Sequence, residues 1–246
     1  GGKVVGIDRD GEALDICKQN LKTSSSFLSL HHNSYNNIDK ILAAEGLSAF
    51  NGILLDLGLS SLQLGSKNRG FSYRLEGPLD MRFDRSSGSD AGKLIDQADR
   101  DGLAHIFKEH GEERLASRIA KSIKEMTTMN TIADLREAIR RCTPPNHRDR
   151  TFARIFQALR IAVNGELDIL KQFLAKFIDF LRPDGRIVII SYHSLEDRLV
   201  KHSFKELAIG GTLDILTKRP ITATEEERKI NRRAGSAKLR AAVKAA

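Results

Sequence analysis

Cysteine is nearly absent from these 246 residues: Cys17 and Cys142 stand alone and far apart. Two isolated thiols supply neither the paired spacing of a zinc site nor a disulfide framework. No metal is therefore expected, and a reducing compartment is the simplest setting. Apolar runs are short as well. None approaches the roughly 20 residues that span a bilayer, so no membrane partner is expected. A secretory leader is lacking, since Gly1-Gly2-Lys3-Val4 runs straight into a strand pattern. The chain does not open on methionine and reads as a fragment or trimmed form of something longer. Internal repeats and low-complexity tracts are missing too, leaving one globular domain with an insertion, or two domains.

What is present in excess is positive charge: 40 Lys and Arg against 32 Asp and Glu, a net +8. Residues 218–246 alone hold nine Lys/Arg and three Glu. A concentrated basic segment attracts polyanions through counterion release, with nucleic acid the usual partner. A solubilising charged tail is the plainer alternative.

Patterning gives the fold class. Lys3-Val4-Val5-Gly6-Ile7-Asp8 reads as a buried strand ending in a carboxylate, and residues 11–22 space Leu14, Cys17 and Leu21 as a helix. A strand over 27–31, a helix over about 37–47 and a strand over 52–57 follow. Such alternation predicts a parallel α/β sheet. Residues 58–85, rich in Gly, Ser and Asp, read as a long loop. From about 88 to 165 the pattern is helical, broken by Pro144-Pro145. This stretch is taken as a helical insertion, dividing the chain into 1–87, 88–165 and 166–246. A helix over 166–181, closed by Pro183-Asp184-Gly185, leads to a strand over 186–191. A helix over 195–208 and a strand over 211–216 follow, with 237–243 pairing with that strand at the sheet edge.

In an open parallel sheet, ligands bind beyond the carboxyl ends of the strands. Asp8, at one such end, suits the ribose hydroxyls of an adenine cofactor; equally, Asp8 or Asp10 caps the next helix. Asp56 ends another apolar run before Leu57-Gly58-Leu59-Ser60-Ser61, placed to accept hydrogen bonds from a cofactor or from an amine being alkylated. A loop-stabilising Asx turn is its plainer role. His193, in Ser191-Tyr192-His193-Ser194-Leu195-Glu196-Asp197-Arg198, is a base or a structural histidine, while Ser194 and Asp197 have the spacing of a capping box. The loop from Arg69 to Asp84, which contains Asp80, mixes glycines, aromatics, arginines and acids. That mixture suits a pocket for an extruded base, or a well-packed loop with internal ion pairs.

The segments ILLDLGLSSLQL (53–64), RGFSY and GPLDMRFD (69–84), HGEERLASRIAKSI (110–123), TFARIFQALRIAVNGEL (151–167) and SYHSLEDRLVK (191–201) closely resemble one family. It is the small-subunit ribosomal RNA methyltransferase H family, also called MraW. The likeness runs in order down to NRRAGSAKLRAAVKA (231–245). The resemblance implies a Rossmann-like class I methyltransferase sheet with an inserted helical substrate-recognition domain. It implies S-adenosylmethionine as cofactor and the N4 amine of a decoding-region cytidine in small-subunit rRNA as target. It carries cofactor contacts to Asp8, Tyr35 (often Phe in the family), Asp56 and Gln63. Asp56, His193 and Asp80 become the candidates for the chemistry. The family's opening strand and glycine-rich loop have no match here, because the chain opens just before the family's second strand. The central strand position is therefore expected to be empty. Arg233-Ala234-Gly235 also departs from the family, which often shows a further arginine there.

The partner implied is small-subunit rRNA or the small ribosomal subunit, and a homodimer is compatible with the sequence. The expected setting is bacterial cytoplasm, or a mitochondrion or plastid in a eukaryote. A catalytically degenerate homologue acting as an rRNA-binding assembly factor is the alternative from another class. A dehydrogenase of similar topology is a third, remote because of the matches at 53–84 and 191–201.

Overall fold

A short apolar run becomes a sheet strand when a parallel neighbour satisfies its backbone groups. β1 (Val4–Asp8) does this with β2 (Leu28–His32), the pairing running from Val4↔Leu28 to Asp8↔His32. The computed structural model describes residues 2–21 and 28–246. Lys22 and Phe27, the expected ends of a helix and a strand, lie outside the described residues. Within them, α1 spans Gly11–Asn20.

β3 (Phe50–Asp56) pairs in parallel with β4 (Leu181–Ser191). β7 (Lys238–Lys244) then lies antiparallel between β4 and β5 (Leu213–Ile215), and β6 (Ile221–Thr222) also pairs with β7. The C-terminal strand thus pairs with β5 at the sheet edge, as expected, and its other side pairs with β4. Its alternation accounts for this: Arg240 and Ala242 are buried, and the small Ala241 and Ala242 let neighbouring strands and helices close in. Lys238, Arg240 and Lys244 are accordingly used inside the fold. Arg240 bonds Asp197, and Lys244 Nζ donates to the carbonyls of Ile178 and Leu181.

Two sheets result, ordered β1-β2 and β3-β4-β7-β5. Among the described residues no strand bonds the second edge of β1 or of β3. Leu54 on β3 is 68% exposed and Val4 on β1 is 59% exposed, unusual for apolar residues in parallel strands.

The chain divides into two compact units. The first comprises residues 1–8, 21–58 and 167–246 and contains all seven strands found among the described residues. Its core joins Ile38 of α2 (Ile38–Ala44), Leu55, Leu57, Ile187 and Ile189 with Leu170 and Phe173 of α9 (Glu166–Leu174). Val200 and Phe204 of α10 (Ser194–Ile209) complete it. The helix expected over 166–181 stops at Leu174, since Phe177 turns back to stack on Phe173 through a 3-10 turn, and β4 already begins at Leu181. α11 (Glu225–Ile230) lies on the surface of this unit.

The second unit comprises residues 9–20 and 59–166. The long loop after β3 therefore belongs with the helices. Besides α1, these are α3 (Ser61–Gly65), α4 (Ala91–Gln97), α5 (Arg100–Gly111), α6 (Ala116–Lys124), α7 (Ile132–Cys142) and α8 (Arg148–Asn164). Asp90, Asp99 and Thr131 cap α4, α5 and α7 through their side chains. Ile119, Leu135, Ile139, Ile155 and Leu159 recur at helical spacing and fill the core. α5 and α8 approach so closely that a Cβ on Gly111 would lie 2.8 Å from the Arg154 carbonyl oxygen. Among the described residues no helix is long and apolar enough to cross a membrane.

Candidate active site

Asp56 and Ile190 are register partners, so the loops leaving β3 and β4 start side by side. Asp56 is exposed at the strand tip, and the Tyr192 hydroxyl donates to its Oδ1 at 2.9 Å. Burial pushes the Tyr192 phenol up to about 12, helped by the bond to Asp56 and its negative charge. At neutral pH the phenol stays protonated and serves as a donor. Asp56 Oδ2 receives no hydrogen bond among the described residues. The strand tip therefore presents one tethered carboxylate with a lone-pair face open to a ligand.

His193 is placed differently from a free base. It is the N-cap of α10: the Glu196 N–H points at its Nδ1 at 3.4 Å, and Glu196 Oε1 lies 3.2 Å from its Nε2. Glu196 Oε2 also accepts the Tyr192 N–H at 2.9 Å. The capping box at this helix is thus His193 with Glu196, not Ser194 with Asp197. Ser194 starts the helix, and Asp197 turns to β7, where Arg240 Nε donates to it at 2.7 Å. Burial opposes ionisation of Asp197, but the bond and charge of Arg240 prevail and hold its pKa below the usual value.

At the other strand pair, Asp8 stands exposed at the tip of β1, where its carbonyl accepts the Asn33 N–H. Tyr35 follows β2, half-buried, with its ring edge-on to Phe173 at 5.5 Å. Asp10, not Asp8, takes the capping role, its Oδ1 accepting the Glu12 N–H ahead of α1.

Within the helical unit, Gln63 is buried and its amide is engaged at both ends. Its Oε1 accepts the Ser60 N–H, closing a capping box, and its Nε2 donates to Asp10 Oδ2 at 2.8 Å. Arg69 meets the same Asp10 oxygen at 2.8 Å and also bonds the Arg82 and Phe83 carbonyls. Asp80 is buried and clasped by Arg82 through Nε at 2.8 Å and Nη2 at 3.0 Å. Burial alone would raise its pKa; the Arg82 bonds outweigh that and lower it. Such a carboxylate is a poor proton acceptor near neutral pH. The loop's aromatics face inward: Phe71 stacks on Phe83, and Tyr73 packs between Phe152 and Phe156. The loop is thus well packed, with internal ion pairs.

A family model described as the MraW methylase family matches residues 1–245. The chain belongs to this family. The ribosomal RNA small subunit methyltransferase H of Kosmotoga olearia is 47% identical over 98% of this chain and 82% of its own length. The protein of the same name from Thermotoga neapolitana is 46% identical over 98% of this chain and 82% of its own. That from Halothermothrix orenii is 44% identical, covering 98% and 84%.

Two groups of this MraW family member were not singled out from sequence. Tyr192 stood in a quoted motif, but its partner lies 136 residues away and only the β3–β4 register joins them. Asn164 lies within the 151–167 segment, where nothing local marks its partners 81 and 83 residues away. Its Nδ2 donates to the Met81 carbonyl at 2.7 Å and its Oδ1 accepts the Phe83 N–H at 2.8 Å, so it anchors the far end of the 69–84 loop.

Proposed function

We propose that the chain methylates the N4 amine of a cytidine in small-subunit rRNA, in the decoding region, using S-adenosylmethionine. The names of its relatives support the substrate class, and the observation that carries the chemistry is Asp56, exposed at a strand tip with one oxygen open. The residues present suit the cofactor. Asp8 offers a carboxylate for ribose hydroxyls at the β1 tip, Tyr35 offers an aromatic edge after β2, and Asp56 offers an acceptor after β3. When bound, the cofactor supplies an electrophilic methyl group on a sulfonium.

The chain's own work is alignment. A cytosine amine is a weak nucleophile because its lone pair is delocalised into the ring. Asp56 Oδ2 accepts one N–H, fixing the amine's orientation and drawing density to nitrogen, while the Tyr192 hydroxyl holds Asp56 in one rotamer. His193 and Glu196 fix the Tyr192 backbone through the α10 cap. Asp80 keeps Arg82 and the 80–83 backbone in place and does not take the proton.

The test is full-length protein with labelled S-adenosylmethionine and unmodified small subunits, read by nucleoside mass spectrometry. Labelled N4-methylcytidine is expected, and Asp56→Ala should lose at least about a hundredfold in rate, the scale of a lost electrostatic contact. Full turnover by Asp56→Ala overturns the assignment. Tight subunit binding without any label in the wild type moves the reading to an rRNA-binding assembly factor.

A further inference from the structure

We propose that the corner where α6, α7 and α8 meet binds the phosphate backbone of structured RNA. The proposal rests on the RNA-directed reading above and concerns residues of the helical unit alone.

The helical stretch is divided in charge. Residues 88–113 hold seven Asp/Glu against three Lys/Arg, whereas residues 114–160 hold eleven Lys/Arg against four Asp/Glu. Five of those eleven face carboxylates: Lys121 with Glu125, Arg136 with Glu76, Arg141 with Glu137, Arg154 with Glu113 and Arg160 with Glu166. Lys124 is spent on the carbonyls of Ile95 and Asp96. The remaining five, Arg114, Arg118, Arg140, Arg148 and Arg150, form no ion pair among the described residues, and all but Arg148 are exposed.

Arg118, Arg140 and Arg148 converge on the end of α7, and Arg150 follows Arg148 by two residues in the first turn of α8. Arg148 Nε donates to the Thr143 carbonyl at 3.2 Å, and the positive charge of Arg118 acts on the Cys142 thiol at the same helix end. The Arg140 guanidinium lies 5.9 Å from the Phe152 ring centre, and Phe152 in turn packs on Tyr73 at 5.6 Å. The corner is therefore continuous with the loop 69–84. The acids facing it are few: Glu113 is buried beside Arg154, Glu137 pairs with Arg141, and Asp149 is exposed between Arg148 and Arg150.

Folding alone does not account for the arrangement. Arg140 and Arg141 suit the negative C-terminal end of α7. Arg148 and Arg150, however, open the 17-residue α8, whose N-terminal end is already positive and has no side-chain cap. Cations there oppose the helix dipole, and an anion resolves the conflict. Planar guanidinium forks without carboxylates match phosphate oxygens spaced along a strand. Base readout needs several polar groups fixed against one base edge, whereas the side chains this corner exposes are guanidinium groups. Backbone contact without base readout is what it offers.

The experiment compares full-length wild type, Arg118→Gln/Arg140→Gln/Arg150→Gln, and a control with Lys93→Gln/Arg100→Gln/Lys108→Gln on α4 and α5. Affinity for unmodified small ribosomal subunits is measured against KCl concentration, with S-adenosylmethionine binding and the urea midpoint followed in parallel. The corner variant should bind about tenfold or more weakly at physiological salt, and its log–log salt slope should fall by roughly 2 to 3, near 0.7–0.9 per lost phosphate contact. Its cofactor binding and urea midpoint should match wild type, the control should keep the wild-type slope, and three lysines in place of the three glutamines should restore most of it. A steep wild-type slope that the corner variant reproduces overturns the proposal and leaves the methylation reading standing. A wild type with no salt-dependent binding overturns the RNA reading, and the corner with it.

Discussion

Asn164 is 4% exposed and sits at the last turn of α8, where its amide makes three side-chain hydrogen bonds. Two carbonyl acceptors, of Met81 and Arg160, and one N–H donor, of Phe83, fix which way the amide points. Met81 has a left-handed backbone (φ 60), so the segment Asn164 holds is also strained. Asn164→Ala strands the Met81 carbonyl and the Phe83 N–H. At about 1–3 kcal/mol for each buried group left unsatisfied, less whatever water entering the space recovers, the loss should be about 2–4 kcal/mol. Asn164→Asp separates packing from hydrogen bonding. It keeps the shape and the bond from Phe83, but at pH 7 it sets a carboxylate against two carbonyl oxygens. It should therefore be at least as destabilised as Ala, and should partly recover at low pH, where a protonated carboxyl donates once. Urea unfolding gives the free energies, and amide exchange at Phe83 reports the local bond. Wild-type stability and exchange in Asn164→Asp at pH 7 would refute the donor role of the Asn164 amide.

Gly70→Ala should disrupt the same loop, since φ is +74 and a Cβ would fall 2.6 Å from the Pro78 oxygen and 2.8 Å from the Asp80 nitrogen. A loss of about 2 kcal/mol or more is expected from the backbone conformation plus the clash, read by thermal or urea unfolding; an unchanged midpoint contradicts it. Asp197, whose folded pKa is lowered, binds protons more readily when unfolded. Its contribution is present above about pH 4, the unfolded value, and fades as pH falls through the lower folded value. Asp197→Asn should thus be less stable than wild type at pH 7 and lose less on acidification from pH 5 to pH 2. Parallel acid-unfolding curves for the two would count against the Arg240 pairing.

Local chemistry made much of this protein legible in its sequence. Apolar runs ending in Asp8 and Asp56 marked strand tips, because a buried parallel strand needs continuous hydrophobicity and its exit does not. The periodic stretch from 88 to 165 marked helices, and Asp90, Asp99 and Thr131 sit where unsatisfied N–H groups require an acceptor. What sequence could not rank was competition between acceptors and neighbours distant along the chain. Ser194 and Asp197 have capping-box spacing, yet Arg240 arrives from 43 residues away and takes Asp197, leaving the cap to His193 and Glu196. Residues 237–243 were legible as a partner of the 211–216 strand, but nothing local records that β4 lies on their other side. Gln63 and Asp10, Tyr192 and Asp56, and Asn164 and Phe83 are joined across 53, 136 and 81 residues. Residue type and spacing determined which groups were able to do chemistry; only the tertiary structure decided which of them are consumed holding the fold and which, like Asp56, keep an oxygen open.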